Sequence, residues 1–263
     1  MKVTHYGERQ AYSLGVAHST ESDFVSNALS AEARLASDDQ NTTWNLGLGL
    51  TSDRINPTTH IVNNETRHTT EVQGGVTQVL SARDLVQATY TLSRARGYMN
   101  DPYKFDDARP DARNANIVQL RWNHWLGGSA LKTGYRLYKD SYSVTAHTFD
   151  LALASPFGQN FTVTTALRYY TQSAASFYAD PHASTYPSPV GNPRYFSADQ
   201  RLAAYGAVSG SVKIEMRLAP TWTMDGKFET YHQRSNLHLG QGGSPGLNPL
   251  YATIWQWGLS HSF

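Results

Sequence analysis

The segment Thr43-Trp44-Asn45-Leu46-Gly47-Leu48-Gly49-Leu50-Thr51 alternates without a break. Trp44, Leu46, Leu48 and Leu50 fall on one side of an extended chain, with Thr43, Asn45, Gly47, Gly49 and Thr51 on the other, which is the period of a β-strand. Tyr12, Leu14 and Val16 alternate with Ser13, Gly15 and Ala17 in the same way. Phe161, Val163, Leu167 and Tyr169 alternate with Thr162, Thr164, Ala166, Arg168 and Tyr170, and Val212, Ile214, Met216 and Leu218 with Ser211, Lys213, Glu215 and Arg217. No helical stripe longer than two turns interrupts the series. Such runs recur about twelve times, centred near Gly15, Glu32, Leu48, Gly74, Tyr90, Leu120, Tyr135, Leu151, Leu167, Val212, Phe228 and Trp255. Lys2 to His5 reads as the stub of one further strand.

The connections alternate as well. Short ones fall near Gly7–Arg9, Ser37–Asn41, Ser81–Asp84, Gly127–Gly128, Pro156–Asn160 and Ala219–Thr221. Between them lie longer polar segments at Thr20–Ser26, Ser52–Thr66, Tyr98–Arg113, Tyr178–Gln200 and Ser235–Pro249, with Asp140–Ser143 a short exception. An up-and-down meander with tight turns at one end and large loops at the other is how bacterial outer-membrane barrels are built.

A soluble sandwich also alternates, so the content of the two faces decides. Soluble antiparallel sheets turn charge outward and bulk inward. Here the polar face mixes Gly, Ala, Ser and Thr with scattered charges, while the apolar face carries Leu, Val, Phe and Trp. Trp44, Trp122, Tyr135, Phe161, Tyr169, Trp222 and Trp255 are expected near strand ends, as in the aromatic girdles of a membrane barrel. Charged residues make up 16% of the chain, against about 25% in average soluble domains. The mean hydropathy is −0.50 and no run approaches the roughly 18 apolar residues of a membrane helix. With 16 Tyr, 9 Phe and 6 Trp the chain carries too much aromatic surface to stay disordered. A net charge of +1 offers no footprint for nucleic acid, and the absence of Cys removes disulfides and zinc-thiolate sites. An all-β, antiparallel, closed transmembrane barrel is the expectation, because lipid does not tolerate an open sheet edge.

Both chain ends carry information. Tyr251, Thr253, Trp255, Trp257, Leu259, His261 and Phe263 share one face of the last strand, and a terminal Phe on such a strand resembles the assembly signal of bacterial outer-membrane proteins. Trp257, Leu259 and Phe263 are the candidates to carry it, with the barrel-assembly machinery as the implied partner. Met1-Lys2-Val3-Thr4-His5 is followed by no apolar stretch of a secretory signal, so an N-terminally incomplete single barrel domain over residues 1–263 is expected.

A series of ordered motifs then identifies a resemblance. Ser19-Thr20-Glu21-Ser22-Asp23-Phe24, Asp39-Gln40-Asn41-Thr42-Thr43-Trp44 and Ser52-Asp53-Arg54-Ile55-Asn56-Pro57 open the series. Asn100-Asp101-Pro102-Tyr103-Lys104, Arg109-Pro110-Asp111-Ala112-Arg113 and Arg121-Trp122-Asn123-His124 follow. Gln172-Ser173-Ala174-Ala175-Ser176-Phe177-Tyr178, Asp199-Gln200-Arg201-Leu202 and Gly243-Ser244-Pro245-Gly246-Leu247 complete it. Together they resemble the outer-membrane barrel family known as domain of unknown function 3570. The resemblance implies a signal peptide and further N-terminal strands that this chain lacks, a complete barrel of about sixteen strands, and no agreed activity.

The polar face offers a candidate site. Glu32, Arg34, Arg121, Arg136, Asp150, Arg168, Lys213, Glu215, Arg217, Asp225, Lys227 and Glu229 are expected to face the lumen. A tight turn at Ala219–Thr221 sets Glu215 opposite Asp225 and Lys213 opposite Lys227, leaving Lys213–Asp225 and Glu215–Lys227 as diagonal neighbours of opposite sign. Asp150 is expected diagonal to Arg168. The set reads either as a charged constriction that selects small polar solutes, or as a ladder of ion pairs that stiffens the wall or fills the lumen. Arg121, Arg136 and Arg168 favour anions if their carboxylate partners are distant.

The loops hold weaker candidates. Asp101, Asp106, Asp107 and Asp111 supply hard oxygen ligands, but Lys104, Arg109 and Arg113 lie close enough in sequence to neutralise them. The segment Tyr178–Gln200, with Pro181, Pro187, Pro189, Pro193, Tyr186, Tyr195 and Phe196, suits an inward constriction or an outward binding surface. His182-Ala183-Ser184 beside Asp180 has the residue types of a hydrolase but neither a nucleophile elbow nor an oxyanion hole. His60, His68, His147, His232 and His238 show no metal-ligand spacing. The sequence therefore points to a non-catalytic, porin-like barrel of a Gram-negative outer membrane. Its expected surroundings are lipid and small polar solutes, with no cofactor or metal. A non-conducting barrel that docks partners through its loops is the first alternative, and an outer-membrane hydrolase the second.

Overall fold

In the structure, a computed structural model that describes residues 1–104, 107–182, 194–240 and 242–262, the alternating runs become thirteen strands in one sheet. They are β1 (Lys2–Tyr6), β2 (Gln10–Thr20), β3 (Phe24–Ala36), β4 (Thr42–Ile55), β5 (Glu65–Val79), β6 (Asp84–Gly97) and β7 (Ala112–Trp125). The series continues with β8 (Ala130–Asp140), β9 (Thr145–Phe157), β10 (Phe161–Gln172), β11 (Tyr205–Ala219), β12 (Trp222–Arg234) and β13 (Leu250–His261). Every strand pairs antiparallel with its sequence neighbour. From β2 onward the strands run 11 to 15 residues, enough to cross a hydrocarbon layer when tilted, for which about 9–11 suffice. Among the described residues no backbone pairing joins β1 to β13, so each is bonded along one edge.

Unbroken register carries the period-two pattern around the sheet. Glu32 stands opposite Gly47, Gly47 opposite Gln73, and Gln73 opposite Thr91, all on one face. Leu46, Gly74 and Tyr90 line up on the other. The polar residues look into a concave space: one recess of about 530 Å³ is lined by Lys2, Ser13, Glu32, Arg34, Asn45 and Glu71 together with Gln87 and Thr91 of β6. The apolar residues face out and stay bare, with Leu46 57% and Trp257 74% exposed. Such an outer surface is stable only in lipid, and with this topology the chain is an outer-membrane β-barrel.

Some sequence expectations needed correction. The segment Thr20–Ser26 is no long loop: β2 runs through Thr20, β3 starts at Phe24, and Glu21 closes the turn with its amide on the Phe24 carbonyl at 2.8 Å. β4 runs on through Ile55, beyond the expected start of a loop at Ser52, because the inward-facing Asp53 finds partners across both neighbouring strands. Ser26 Oγ donates to it at 2.7 Å, and the Arg67 guanidinium meets its other oxygen at 2.8 Å. A polar stretch thus remains strand because its charge is satisfied within the sheet. β9 extends through Phe157, past Pro156.

The aromatic residues are also less uniformly placed than expected. Trp44, Trp122, Phe161 and Trp222 sit beside the tight turns, and Tyr169 lies near the loop end of β10. Tyr135 and Trp255 fall in mid-strand, Tyr135 against Phe149 at 5.0 Å between ring centroids and Trp255 against Phe228 at 4.6 Å. These two are outward-facing packing partners of neighbouring aromatic rings rather than members of an end girdle. Tyr251, Thr253, Trp255, Trp257, Leu259 and His261 do share the outer face of β13, whereas Phe263 lies outside the described residues.

Gly97 combines a left-handed backbone with a close carbonyl. Gly97, at the loop end of β6, has φ +117°, and a Cβ there would lie 2.2 Å from the Thr66 carbonyl oxygen. Gly97→Ala should therefore cost at least about 1–2 kcal/mol, read as a lower midpoint for urea unfolding in detergent. Gly127→Ala, in an open turn, keeps the strain of φ +87° but meets nothing within 4 Å, so it should cost less than Gly97→Ala.

Candidate functional site

The inner face carries its charges in rows fixed by the register. Arg168 lies directly opposite Asp150, not diagonal to it, and donates through Nε at 2.6 Å. Glu215 stands opposite Asp225 and Lys213 opposite Lys227, as expected from the tight turn, even though a bulge between Arg217 and Ala219 shifts the last pair. Lys213 reaches the diagonal Asp225 at 3.8 Å and Glu215 on its own strand at 3.1 Å. The expected Glu215–Lys227 pair is not made: Lys227 turns along its strand to Glu229. Residues two apart on a strand share a face and lie within reach, so long side chains have same-strand as well as cross-strand choices. At the far side of the sheet Lys2 meets Glu32 at 2.7 Å.

Other inner-face cations have no such partner. Among the described residues Arg34, Arg121, Lys132, Arg136 and Arg217 have no carboxylate within ion-pair distance. Arg121 lies opposite Gly134 and one step from Gln119, whose side-chain oxygen, turned towards it, accepts from the guanidinium at 3.1 Å. Arg136 lies over the Tyr138 ring at 5.6 Å. Arg121, Lys132, Asp150, Arg168, Lys227 and Glu229 border a recess of about 480 Å³. Between β7 and β10 the described wall is thus basic around the recess, where Arg168 is paired with Asp150 while Arg121 and Lys132 are not.

At the loop end the connections fold on one another. Tyr142, Val144, Ala175 and Leu202 form a small buried core, with Tyr138, Phe177 and Tyr178 against it. The Tyr142 and Phe177 rings meet edge-on at 4.9 Å, and Arg113 lies over Tyr142 at 4.8 Å. Burial pushes the Tyr142 hydroxyl up to about 12, a shift that the nearby Arg113 opposes. Ala108 and Phe196 exchange two backbone hydrogen bonds of 2.8 Å, stitching the β6–β7 connection to the β10–β11 connection. The β12–β13 connection joins them: the Gly246 amide donates to Asp180 at 2.9 Å, and Ser244 and Ala204 are doubly bonded.

Asp199 is the ionic centre of this cap. It is 4% exposed and receives Arg109 at 2.8 Å together with the Arg201 side chain and backbone amide. Burial alone would raise its carboxyl, but the hydrogen bonds from Arg201 and Arg109 outweigh it and hold the group well below the usual carboxylate range. The acidic segment expected to pair with itself does so in part: Asp101 meets Lys104 at 3.7 Å and Arg201 at 3.3 Å, and Asp107 meets Arg109 at 2.8 Å. Arg113 instead pairs with Asp140 at 2.6 Å, because β7 and β8 place both on the inner face. Asp180 of the triad-like segment is occupied by the amides of His182 and Gly246. Asp106, Ser184, Tyr186, Pro187, Pro189 and Pro193 lie outside the described residues. Sequence reasoning missed Asp199 and Arg201 as a pair with Arg109, whose only sequence signal is the local Asp-Gln-Arg spacing.

A carboxyl whose folded pKa is depressed contributes stability above its unfolded value and loses it as pH falls through the folded value. The cap is accordingly expected to stay closed as pH is lowered to about 4 and to loosen only well below it. Asp199→Asn should open it at neutral pH, read as faster limited proteolysis in residues 173–204 while the strands stay protected.

Comparison with known proteins agrees with the fold. The family described as "Protein of unknown function (DUF3570)" matches residues 2–64 and 58–256. No curated protein is similar enough in sequence to count as a match. Among solved structures, CdiB from Acinetobacter baumannii superposes with a TM-score of 0.56 at 14% identity, over 97% of this chain and 48% of that one. The siderophore receptor PirA from Pseudomonas aeruginosa gives 0.54 at 14% identity, over 86% and 43%. The ferric citrate transporter FecA in its unliganded form gives 0.50 at 12% identity, over 99% and 45%. The chain spans less than half the length of each of these three, and at such identities the likeness is one of fold. The match along nearly the whole chain, on the strands and loops described above, shows that it belongs to the DUF3570 family.

Proposed function

We propose that this barrel is a passive pore for small polar solutes, with a preference for anions. The observation that carries the reading is the set Arg121, Lys132 and Arg136, which line the inner wall of β7 and β8 with no carboxylate at ion-pair distance among the described residues. Cations held on a polar wall raise the local concentration of anions and lower the barrier to their passage. The adjoining recess of about 480 Å³ has room for a small hydrated solute. The ion pairs elsewhere, such as Asp150–Arg168 and Lys213–Asp225, then act as wall braces, and these three residues set the sign of the β7–β8 stretch of the wall.

The stitched cap favours a second reading, a non-conducting barrel that presents an ordered surface to a partner, since a fixed surface reduces the ordering cost of binding. Neither reading uses the Asp180–His182 segment for catalysis. Planar-bilayer recording of the full chain separates the two. Stepwise openings are expected, with a reversal potential of the anion-selective sign in a salt gradient. Arg121→Gln with Arg136→Gln should move that potential toward zero or through it. Silence from inserted protein would favour the second reading.

A further inference from the structure

The outer face of the strands sorts its charges by sign and by end. Asp84 is the one outward-facing strand carboxylate among the described residues, and it lies beside a tight turn. There it accepts from the Trp122 indole at 2.9 Å and meets His124 at 2.7 Å. Every outward-facing Lys or Arg of the described strands lies at the opposite, loop end: Arg54, Arg94, Arg96, Lys139 and Arg234. Tolerance of charge near an interface explains why the mid-strand is free of it, since Arg or Lys at the midplane costs about 2–4 kcal/mol. It does not explain a single sign at one end.

Four of these cations form one cluster with a histidine. Arg96 stands opposite His68 across β5 and β6, and Arg94, two residues on, shares its face. Arg94 lies opposite Asn114 of β7, and Lys139 of β8 lies opposite Asn116 of the same strand. Arg54, on β4, stands opposite Thr66 of β5, two residues from His68. All five side chains are exposed, and among the described residues none has an ion-pair partner. The cations stand on alternate strands, β4, β6 and β8, about 10 Å apart across the sheet, with Arg94 and Arg96 two residues apart on β6, so their charges add to one positive field that favours anions from outside the chain. Arg is the side chain best suited to phosphate, through its planar fork of donors.

Below the cluster, on the same side of the barrel, the outer face opens into an apolar groove of about 640 Å³ bordered by Val76, Val86, Leu120, Trp122, Tyr135 and Phe149. On β6 it begins at Ala88, six residues from Arg94, or about 20 Å along a strand. A basic rim with an apolar track beneath it matches an amphiphile with an anionic head and acyl tails. We propose that the outer rim of β4–β8 binds the phosphorylated headgroup of a membrane lipid, with Arg54, Arg94, Arg96 and Lys139 on the phosphate oxygens and an acyl chain descending towards the groove. This goes beyond the pore reading and is independent of it, because these residues face away from the lumen.

Native mass spectrometry of the full chain in detergent tests it, with diphosphorylated lipid A as the probe. Wild type should retain the lipid, whereas Arg94→Gln combined with Arg96→Gln should retain about tenfold less. Dephosphorylated lipid should be retained as poorly as the lipid on the double variant. Lys2→Gln, on the inner face, should change nothing. A heat-dependent gel shift checks that each variant is folded, and Arg54→Gln with Lys139→Gln serves if the first pair does not assemble. Equal retention by a folded variant would overturn the proposal. So would displacement of the lipid by millimolar inorganic phosphate, which would make the rim a site for free anions.

Discussion

The backbone hydrogen bond is the constraint from which the rest of this molecule derives. In hydrocarbon an unpaired amide or carbonyl costs several kcal/mol, and a strand has no partners of its own. Continuous register from β1 to β13 meets that demand for β2 to β12 and for the inner edges of β1 and β13, with one shift at the turn after β11. Once register is continuous the two faces are set for every residue, and a slip by one would turn the inner charges into the lipid. The sharp division between polar inner and apolar outer side chains therefore makes the register itself hard to change.

Charge has a different task on each surface. On the inner wall it is largely paired, and the pairs use whichever route is shorter, along a strand for Lys227 and Glu229 or across strands for Asp150 and Arg168. In the cap the buried Arg109–Asp199 pair ties the β6–β7 connection to the β10–β11 connection, and hydrogen bonds at Asp180 and Ser244 add the β12–β13 connection. Exposed ion pairs are each worth little. The inner pairs therefore matter chiefly for the sign they leave behind, whereas the cap takes its shape from the buried Arg109–Asp199 pair, the small apolar core and the backbone bonds between connections.

Much of the fold was legible because period two survives in a sequence even where hydropathy is low. The residues Trp44 to Leu50 announce β4, and the motif positions in the loops carry the family resemblance. The register of β11 against β12 followed from one turn, because turn length fixes pairing. What stayed hidden was non-local. Asp53 reads as loop until Ser26 and Arg67 are brought beside it from neighbouring strands. The expected diagonal Asp150–Arg168 pair became a direct one because the turn after Phe157 sets a different register from the one assumed. Likewise Asp199 and Arg109 are ninety positions apart, and no local pattern links them. The cap is built almost wholly from such contacts, which is why the sequence reveals the strands better than the site.

The parity of the strand count has its own geometric consequence. In a meander successive strands reverse, so the first and last of an odd series point the same way. Both β1 and β13 run towards the end with the tight turns, β1 leading into Gly7–Arg9 and β13 finishing beside Trp222. A seam made directly between them would be a parallel ladder, with evenly spaced and slanted bonds unlike those of any other pair in the sheet. An all-antiparallel ring instead requires an odd number of strands to stand between the two edges, whichever chain supplies them. The direction of the backbone at two edges thus restricts how the ring can be completed, independently of any side chain.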